Sequence, residues 1–395
     1  MSWLVPPWQH QRQTFISTGQ LAVQVVSESR NSSNETGPPF VSHNVVKQDC
    51  KPGDPAVEAS VGIQGVDDEL MAEMADRVLP QHVPIVRRGE EWADGIDLDV
   101  VPKTRYSDAE LIVHAEGADG LFVHSEKAYT RSLFRGVSAL RVIGRPGSGL
   151  DNIDLEAATD HDVVVVYTPG MNAVAVAEFV VGRIISHIRT FDLASGHVRA
   201  GGWRSPEWWG TELRNKTVGI VGLGAAGFET AKRLAPFGVD FLVADPYVEQ
   251  ARIDEICGRR VDLDELLSAS DFVSLHVRLT TETTHMIDAA ALDRMKETAI
   301  VINTARGRVI DHEALIDALD ANTIGGAILD VYPTEPPERT DRIFDFETVS
   351  VTPHLAGATV ETRAEMLETT ARNMRRILDG NTVPPEYIAN PAVLD

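Results

Sequence analysis

The stretch TVGIVGLGAAGFETAKRLAPFGVDFLVAD, residues 217–245, runs from an apolar, β-branched segment into Gly222-Leu-Gly224-Ala-Ala-Gly227. A helical pattern follows, with Phe228, Ala231, Leu234 and Ala235 on one face, then a second apolar run at 241–244 that ends in Asp245. Each part has a physical job. Gly222 permits a tight turn, Gly224 lets the backbone approach a pyrophosphate, and Gly227 lets the helix pack closely on the strand. Ala225 and Ala226 open the helix, whose unpaired N–H groups and positive dipole end attract phosphate. Asp245, roughly 20 residues past the glycines, is placed to accept hydrogen bonds from both hydroxyls of an adenosine ribose. A 2′-phosphate would meet its negative charge, so the pattern favours NAD over NADP. Glycine-rich hairpins also space three glycines this way, but they need neither the strand, nor the helix, nor the acid.

The 395 residues suffice for two domains and a large core. With 43% hydrophobic and 24% charged residues, the composition is that of a globular protein. No uncharged apolar run reaches the ~18 residues of a membrane span. Residues 173–188 come nearest and are interrupted by Glu178, Arg183 and His187. The N-terminus lacks a basic stretch followed by an apolar core, so no secretory signal is expected. Cys50 and Cys257 make neither a disulfide framework nor a zinc site, and no metal is expected. A reducing cytoplasm fits. The net charge of −23 argues against nucleic acid and anionic membranes as partners. Lysines are few and arginine carries most of the positive charge. Such a surface suits work in high salt, where screening removes self-repulsion, although compositional drift gives the same numbers.

Residues 1–57 mix proline pairs with a polar run and show no sustained period; they read as a largely disordered extension. From 58 the pattern alternates. Strands are expected near 61–63, 83–86, 120–124, 140–144 and 163–167, with helices near 67–79, 108–116, 128–134 and 154–159. A long helix is expected over 173–198. Later strands fall at 272–275, 299–303, 325–329 and 349–352, before a final helix over Val360–Leu378. The class is therefore α/β, with two Rossmann-like or flavodoxin-like parallel-sheet domains. Helices lead into and out of 200–355, so that block reads as an NAD-binding domain inserted into a discontinuous substrate domain of 58–199 and 356–395. A hinged cleft would separate them.

In open α/β sheets, ligands sit at the carboxyl ends of the strands. There the second domain presents His276, Thr304-Ala-Arg306, Asp330 with Glu335 a short loop on, and Pro353-His354. Arg306, Glu335 and His354 suit hydride transfer to a 2-keto acid. An arginine pairs with the substrate carboxylate and polarises the carbonyl, where negative charge develops. A histidine gives or takes the proton, and a carboxylate beside it fixes its tautomer. Asp330 is a candidate for the nicotinamide carboxamide. Taken singly, each residue reads as well as a salt-bridge partner, a solvated acid or a capped core histidine; together at strand ends they favour catalysis. The other histidines show no metal-binding spacing.

The sequence over about 58–385 resembles the D-isomer-specific 2-hydroxyacid dehydrogenases, phosphoglycerate dehydrogenase among them. The resemblance is carried by Arg145-Pro-Gly-Ser-Gly-Leu-Asp-Asn-Ile-Asp154, Thr168-Pro-Gly170 with Val176-Ala-Glu178, Gly222 to Gly227, Asn303-Thr-Ala-Arg-Gly307, Leu329-Asp-Val331 to Glu335-Pro336, and Pro353-His354. It implies an NAD-dependent enzyme acting on a small 2-hydroxy or 2-keto acid, without the C-terminal regulatory domain of some phosphoglycerate dehydrogenases. It also implies Arg306 as the substrate arginine, Glu335 as the carboxylate partner and His354 as acid/base. The Gly147-Ser148 backbone would meet the substrate carboxylate, and Ser148, Ala225, Ala226, Asp245, Val277, Thr304 and Asp330 would contact NAD. A homodimer through the region of 173–199 and the tryptophan loop (Trp203, Trp208, Trp209) is implied too.

Three departures stand out: Arg278 where the family usually has proline, Ala225-Ala226 for a common Arg-Ile pair, and Tyr167 for asparagine. A phosphorylated substrate would need cations in the first domain; Arg131, Arg135 and Arg145 are candidates, or simply solvated surface. The rival reading is an NAD(H)-sensing, corepressor-like binding protein with little turnover. Formate oxidation is a second rival, disfavoured by a histidine paired with Glu335.

Overall fold

The computed structural model describes residues 82–87, 97–102, 107–123, 127–206 and 209–394. The expected extension at 1–57, the strand at 61–63 and the helix at 67–79 lie outside these, as do His124 and Trp208. The described residues all belong to one compact unit.

The first lobe is built from β1 (His82–Arg87), β2 (Asp97–Pro102), α1 (Asp108–His114), β3 (Gly120–Phe122), α2 (Arg131–Gly136), β4 (Val142–Arg145), α3 (Leu155–Asp160) and β5 (Val164–Tyr167). Its sheet has the order β2-β1-β3-β4-β5. The three strands β3, β4 and β5 are parallel, while β1 runs antiparallel to both β2 and β3. The sequence reading missed β2 and did not anticipate this antiparallel edge. β1 and β2 are separated in sequence by fewer than the dozen or so residues a parallel crossover needs, in keeping with their antiparallel pairing.

The parallel strands are apolar throughout because both faces are covered. Leu121, Ile143 and Val165 pack with Leu133 and Phe134 on one face. Phe122, Val142, Val164 and Val166 pack with Ala371, Met374 and Leu378 on the other. Those last three belong to the closing helix over Val360–Leu378, so the first lobe takes residues from both ends of the described chain.

Between the lobes the single long helix expected over 173–198 is two helices, α4 (Ala173–Ile188) and α5 (Phe191–Arg199). The break is at Thr190, whose φ of 51° is left-handed. Val176, Val180 and Ile184 of α4 are buried against the second lobe, whereas α5 buries nothing. No core contact holds the two helices in line.

The second lobe comprises β6 (Thr217–Val221), α6 (Ala225–Leu234), β7 (Asp240–Ala244), α7 (Gln250–Asp254), β8 (Arg259–Arg260), α8 (Leu263–Ala269), β9 (Phe272–Leu275), α9 (Ala289–Arg294), β10 (Ile300–Asn303), α10 (His312–Asp320), β11 (Gly326–Leu329) and β12 (Val349–Val351). The closing helix is α11 (Val360–Leu378). The sheet is parallel throughout, in the order β12-β11-β10-β9-β6-β7-β8. Strand order reverses between β6 and β9, which opens a crevice at their carboxyl ends. The fold is thus α/β with a dinucleotide-type domain inserted into the first lobe. None of its described helices is long and apolar enough to cross a membrane.

Candidate active site

The glycine turn at the crevice is shaped by contacts that leave no room for side chains. Gly222 has a φ of 89°, and a Cβ there would stand 3.0 Å from the His276 carbonyl oxygen and from the Val277 side chain. A Cβ on Gly227 would run into the Gly222 carbonyl oxygen, so the helix start can lie on the turn only without one. Gly224 caps α6 with no side chain and has open space above it, leaving the first-turn N–H groups of Ala225 and Ala226 facing outward.

Asp245 is more committed than its sequence position suggests. One carboxylate oxygen accepts the N–H of Leu223 at 2.8 Å. The other accepts those of Tyr247 and Val248 at 2.9 and 3.1 Å. A carboxylate has about four acceptor directions, so roughly one remains for a ribose hydroxyl. Arg252 donates to the Leu223 carbonyl at 3.2 Å and stacks on Phe228, 4.1 Å from the ring centroid. That puts a cation beside the turn from which Ala225-Ala226 removes one. Arg278 is exposed.

The Thr304 hydroxyl is buried and has no hydrogen-bond partner. An uncapped helix start, open space over Gly224 and an orphaned Thr304 hydroxyl are what a bound dinucleotide would complete, and the residues fit one. Ser148 reaches the same region from the first lobe. Its hydroxyl bonds Asn172 at 3.1 Å and accepts the Gly170 N–H at 3.0 Å. A Cβ on Gly170 would stand 3.1 Å from that of Ala225.

His354 and Glu335 are paired, with Nδ1 2.7 Å from a Glu335 oxygen. The other Glu335 oxygen accepts the Tyr332 N–H at 3.1 Å. Partial burial pushes the Glu335 carboxyl up. The His354 hydrogen bond and charge, the Tyr332 N–H and the Arg306 charge outweigh it and hold the carboxyl below its ordinary value. The ionised carboxylate accepts from Nδ1–H, so Nε2 is the nitrogen left for substrate. The stability this pairing contributes is present above the unfolded carboxylate pKa of about 4.3 and is lost as pH falls through the lower folded value.

His354 has a φ of 54°, and its N–H donates to the Asp330 carbonyl at 2.8 Å. Asp330 was expected at the nicotinamide carboxamide. It is fully buried, and its carboxylate accepts from the Thr352 hydroxyl at 2.6 Å and from the Leu355 and Ala356 N–H groups at 2.8 Å each. These bonds hold the loop that carries His354. His276 bonds the Ser274 hydroxyl at 2.8 Å, and burial pushes its imidazole down to about 4. It is therefore a neutral structural group.

Arg306 leaves β10 in a loop locked by Asn303, whose amide donates to the Arg306 carbonyl at 2.9 Å and accepts the Ala305 N–H at 3.0 Å. Gly307 lies so close to the Tyr332 backbone that a Cβ would not fit, which brings the Arg306 and Glu335 loops together. The guanidinium crosses to the first lobe. Its Nε donates to Asp151 at 2.9 Å, and it lies over the α-carbon of Gly149. Arg145 sits beside it, partly buried, with Nε unpartnered. Burial and the Arg306 charge push the Arg145 guanidinium below its ordinary value. Of the other two phosphate candidates, Arg131 pairs with Asp160 at 2.6 Å on the surface, and Arg135 is exposed on α2. The N–H of Gly147, expected at the substrate carboxylate, donates instead to the Thr168 hydroxyl at 2.7 Å.

Asp151 and Asn303 escaped the sequence reading as site residues. Both stood in quoted motifs, but nothing in one sequence says that a carboxylate after a glycine turn will meet an arginine 155 positions later. Gly149→Ala provides a test of this geometry. The new methyl occupies the place of the Arg306 guanidinium, the far end of a flexible side chain. The arginine should swing away while the fold holds. The expected result is a melting temperature within about 2 °C of wild type and kcat/KM reduced at least tenfold, about the penalty for displacing a positioning group.

Fold and site together define a two-lobed, dinucleotide-binding α/β protein with an arginine and a histidine–carboxylate pair at its crevice. Residues 181–356 match the family model described as D-isomer specific 2-hydroxyacid dehydrogenase, NAD binding domain. A glyoxylate reductase of Thermofilum pendens is 43% identical over 63% of this chain and 75% of its own length. A D-3-phosphoglycerate dehydrogenase of Archaeoglobus fulgidus is 36% identical over 70% of this chain and 53% of its own. Among solved structures, the apo D-lactate dehydrogenase of Escherichia coli superposes with a TM-score of 0.64 at 30% identity, covering 72% of this chain and 89% of that one. The chain belongs to the D-isomer-specific 2-hydroxyacid dehydrogenase family. It spans about half the length of the phosphoglycerate dehydrogenases it matches.

Proposed function

We propose that the protein interconverts a small D-2-hydroxy acid and its 2-keto acid with NAD, in the reducing cytoplasm. The observation that carries this reading is the His354–Glu335 pair at 2.7 Å, with Arg306 brought beside it by the close approach of Gly307 to Tyr332. NADH supplies the hydride when bound. Arg306 holds the keto acid by its carboxylate and draws electron density toward the carbonyl oxygen. As that oxygen becomes negative, the fixed cation lowers the barrier. His354 delivers the proton to it from Nε2, and Glu335 keeps the proton on Nδ1 and stabilises the imidazolium. The steps reverse for oxidation. With the Gly147 N–H committed to Thr168, the substrate carboxylate falls to the neighbouring Ser148 and Gly149 backbone.

Arg145, partly buried beside Arg306, supports a substrate with a second anionic group. Phosphoglycerate-, hydroxypyruvate- and glyoxylate-type acids are the class to test. Neither nucleic acid nor membrane figures as a partner at this net charge. A homodimer is supported by the exposed apolar side chains of Phe191, Leu193, Val198, Trp203 and Trp209 on and after α5. Light scattering should give twice the 43.1 kDa chain mass; a monomer would remove the dimer.

The substrate test is NADH oxidation against glyoxylate, hydroxypyruvate, pyruvate, phenylpyruvate and 3-phosphohydroxypyruvate, in dilute buffer and in molar KCl. Turnover of one acid supports the reading and sets its class. Tight NADH binding with no turnover of any would move the weight to a sensing protein.

A further inference from the structure

Arg306 belongs to the second lobe, yet its guanidinium is held by the first. Nε donates to the Asp151 carboxylate at 2.9 Å, and Nη1 donates to the carbonyl of Ala305, its own neighbour, at 2.8 Å. Those two bonds fix the plane of the fork and leave Nη2 aimed over Gly149, along the loop that faces substrate. Gly149 makes the crossing possible, since any side chain there would stand where the guanidinium lies.

The surroundings explain why a carboxylate is needed. Arg145 and Arg306 are neighbours of like charge, and Arg145 is partly buried with an unpartnered Nε. Without a negative group between them, repulsion would push the more exposed Arg306 out of the cleft. Burial pushes the Asp151 carboxyl up, but the Arg306 charge and hydrogen bond and the Arg145 charge overcome it and keep it ionised.

We propose that Asp151 is the positioning residue for Arg306: from the opposite lobe it sets the guanidinium plane, so that the substrate arginine is in place only when the two lobes meet. Asp151 touches neither the substrate nor the cofactor in this scheme; it acts through Arg306. The proposal rests on the dehydrogenase reading above and sharpens it, because it makes Arg306 dependent on closure of the cleft.

The experiment is a double-mutant cycle in the full-length protein, with NADH and the keto acid that wild type reduces fastest. Asp151→Ala should raise KM and lower kcat/KM about tenfold, the scale of a partly exposed, charge-assisted hydrogen bond in a site. NADH affinity and melting temperature should stay at wild-type values. Asp151→Asn keeps an oxygen acceptor for Nε but not the charge that offsets Arg145, so it should recover only a minor part of the loss. In an Arg306→Ala background, Asp151→Ala should cost nothing more, since the group it positions is gone. An equal tenfold loss in that background, or wild-type kinetics for Asp151→Ala alone, would overturn the proposal. Absence of keto-acid turnover by wild type would instead overturn the dehydrogenase reading and is seen before any variant is made.

Discussion

His354→Gln should reduce kcat for keto-acid reduction by about 10³-fold, within the 10²–10⁴ range that a positioned general acid contributes. NADH affinity should remain at the wild-type value, because no residue of the glycine turn is altered. The magnitude follows from what the site would lose. Water can still protonate the nascent alkoxide, but only with a proton source that is neither oriented nor held against Glu335. Glutamine preserves volume and a hydrogen bond to Glu335, so the fold and the Asp330-held loop should survive. Glu335→Gln should cost less, about 10- to 100-fold, because the imidazole stays and loses only the partner that fixes its tautomer. Steady-state kinetics and a fluorescence titration with NADH check both variants. Equal losses in NADH binding would place His354 in cofactor recognition rather than proton transfer.

Arg306→Ala should be as severe in kcat/KM, at about 10³- to 10⁴-fold, with both KM raised and kcat lowered. Arg306 does two jobs: it binds the carboxylate in the ground state and meets the charge that grows on the carbonyl oxygen. Arg306→Lys should recover little. A lysine has no planar fork to span Asp151 and substrate together, so it keeps the charge and loses the geometry. A rise in KM with kcat unchanged would assign Arg306 to substrate binding alone.

The dinucleotide half of the fold was legible in the sequence because its signals are local. Strand, glycine turn, helix and acid sit within residues 217–245, and the parallel strands of that lobe are apolar runs bounded by polar residues. The grouping of Arg306, Glu335 and His354 was legible for a related reason: each lies in the loop that follows a parallel strand, and the carboxyl ends of the strands in such a sheet share one edge. What escaped was non-local or conformational. β2 reads as alternating acid and apolar residues and joins the sheet only by turning back along β1. The break between α4 and α5 rests on a single left-handed threonine, inside a pattern that otherwise continues as helix. Asp151 and Arg306 lie on different lobes, and their pairing is a property of how the lobes meet. Asp330 follows directly on a strand at the crevice, which made it a candidate for the nicotinamide carboxamide, but its anchoring of the His354 loop could not be read from the sequence. Its burial beneath the His354 loop depends on Thr352, Leu355 and Ala356 folding over it.

The central claim is that Arg306, Glu335 and His354 reduce a 2-keto acid at NADH, and its most direct test follows the product. Wild-type protein is given NADH and whichever keto acid of the panel other than glyoxylate, whose product is achiral, it consumes fastest, and the hydroxy acid formed is resolved on a chiral column. The account predicts stoichiometric formation of the D-enantiomer, about 10³-fold slower in His354→Gln. Formation of the L-enantiomer, or undiminished turnover by His354→Gln, would contradict it.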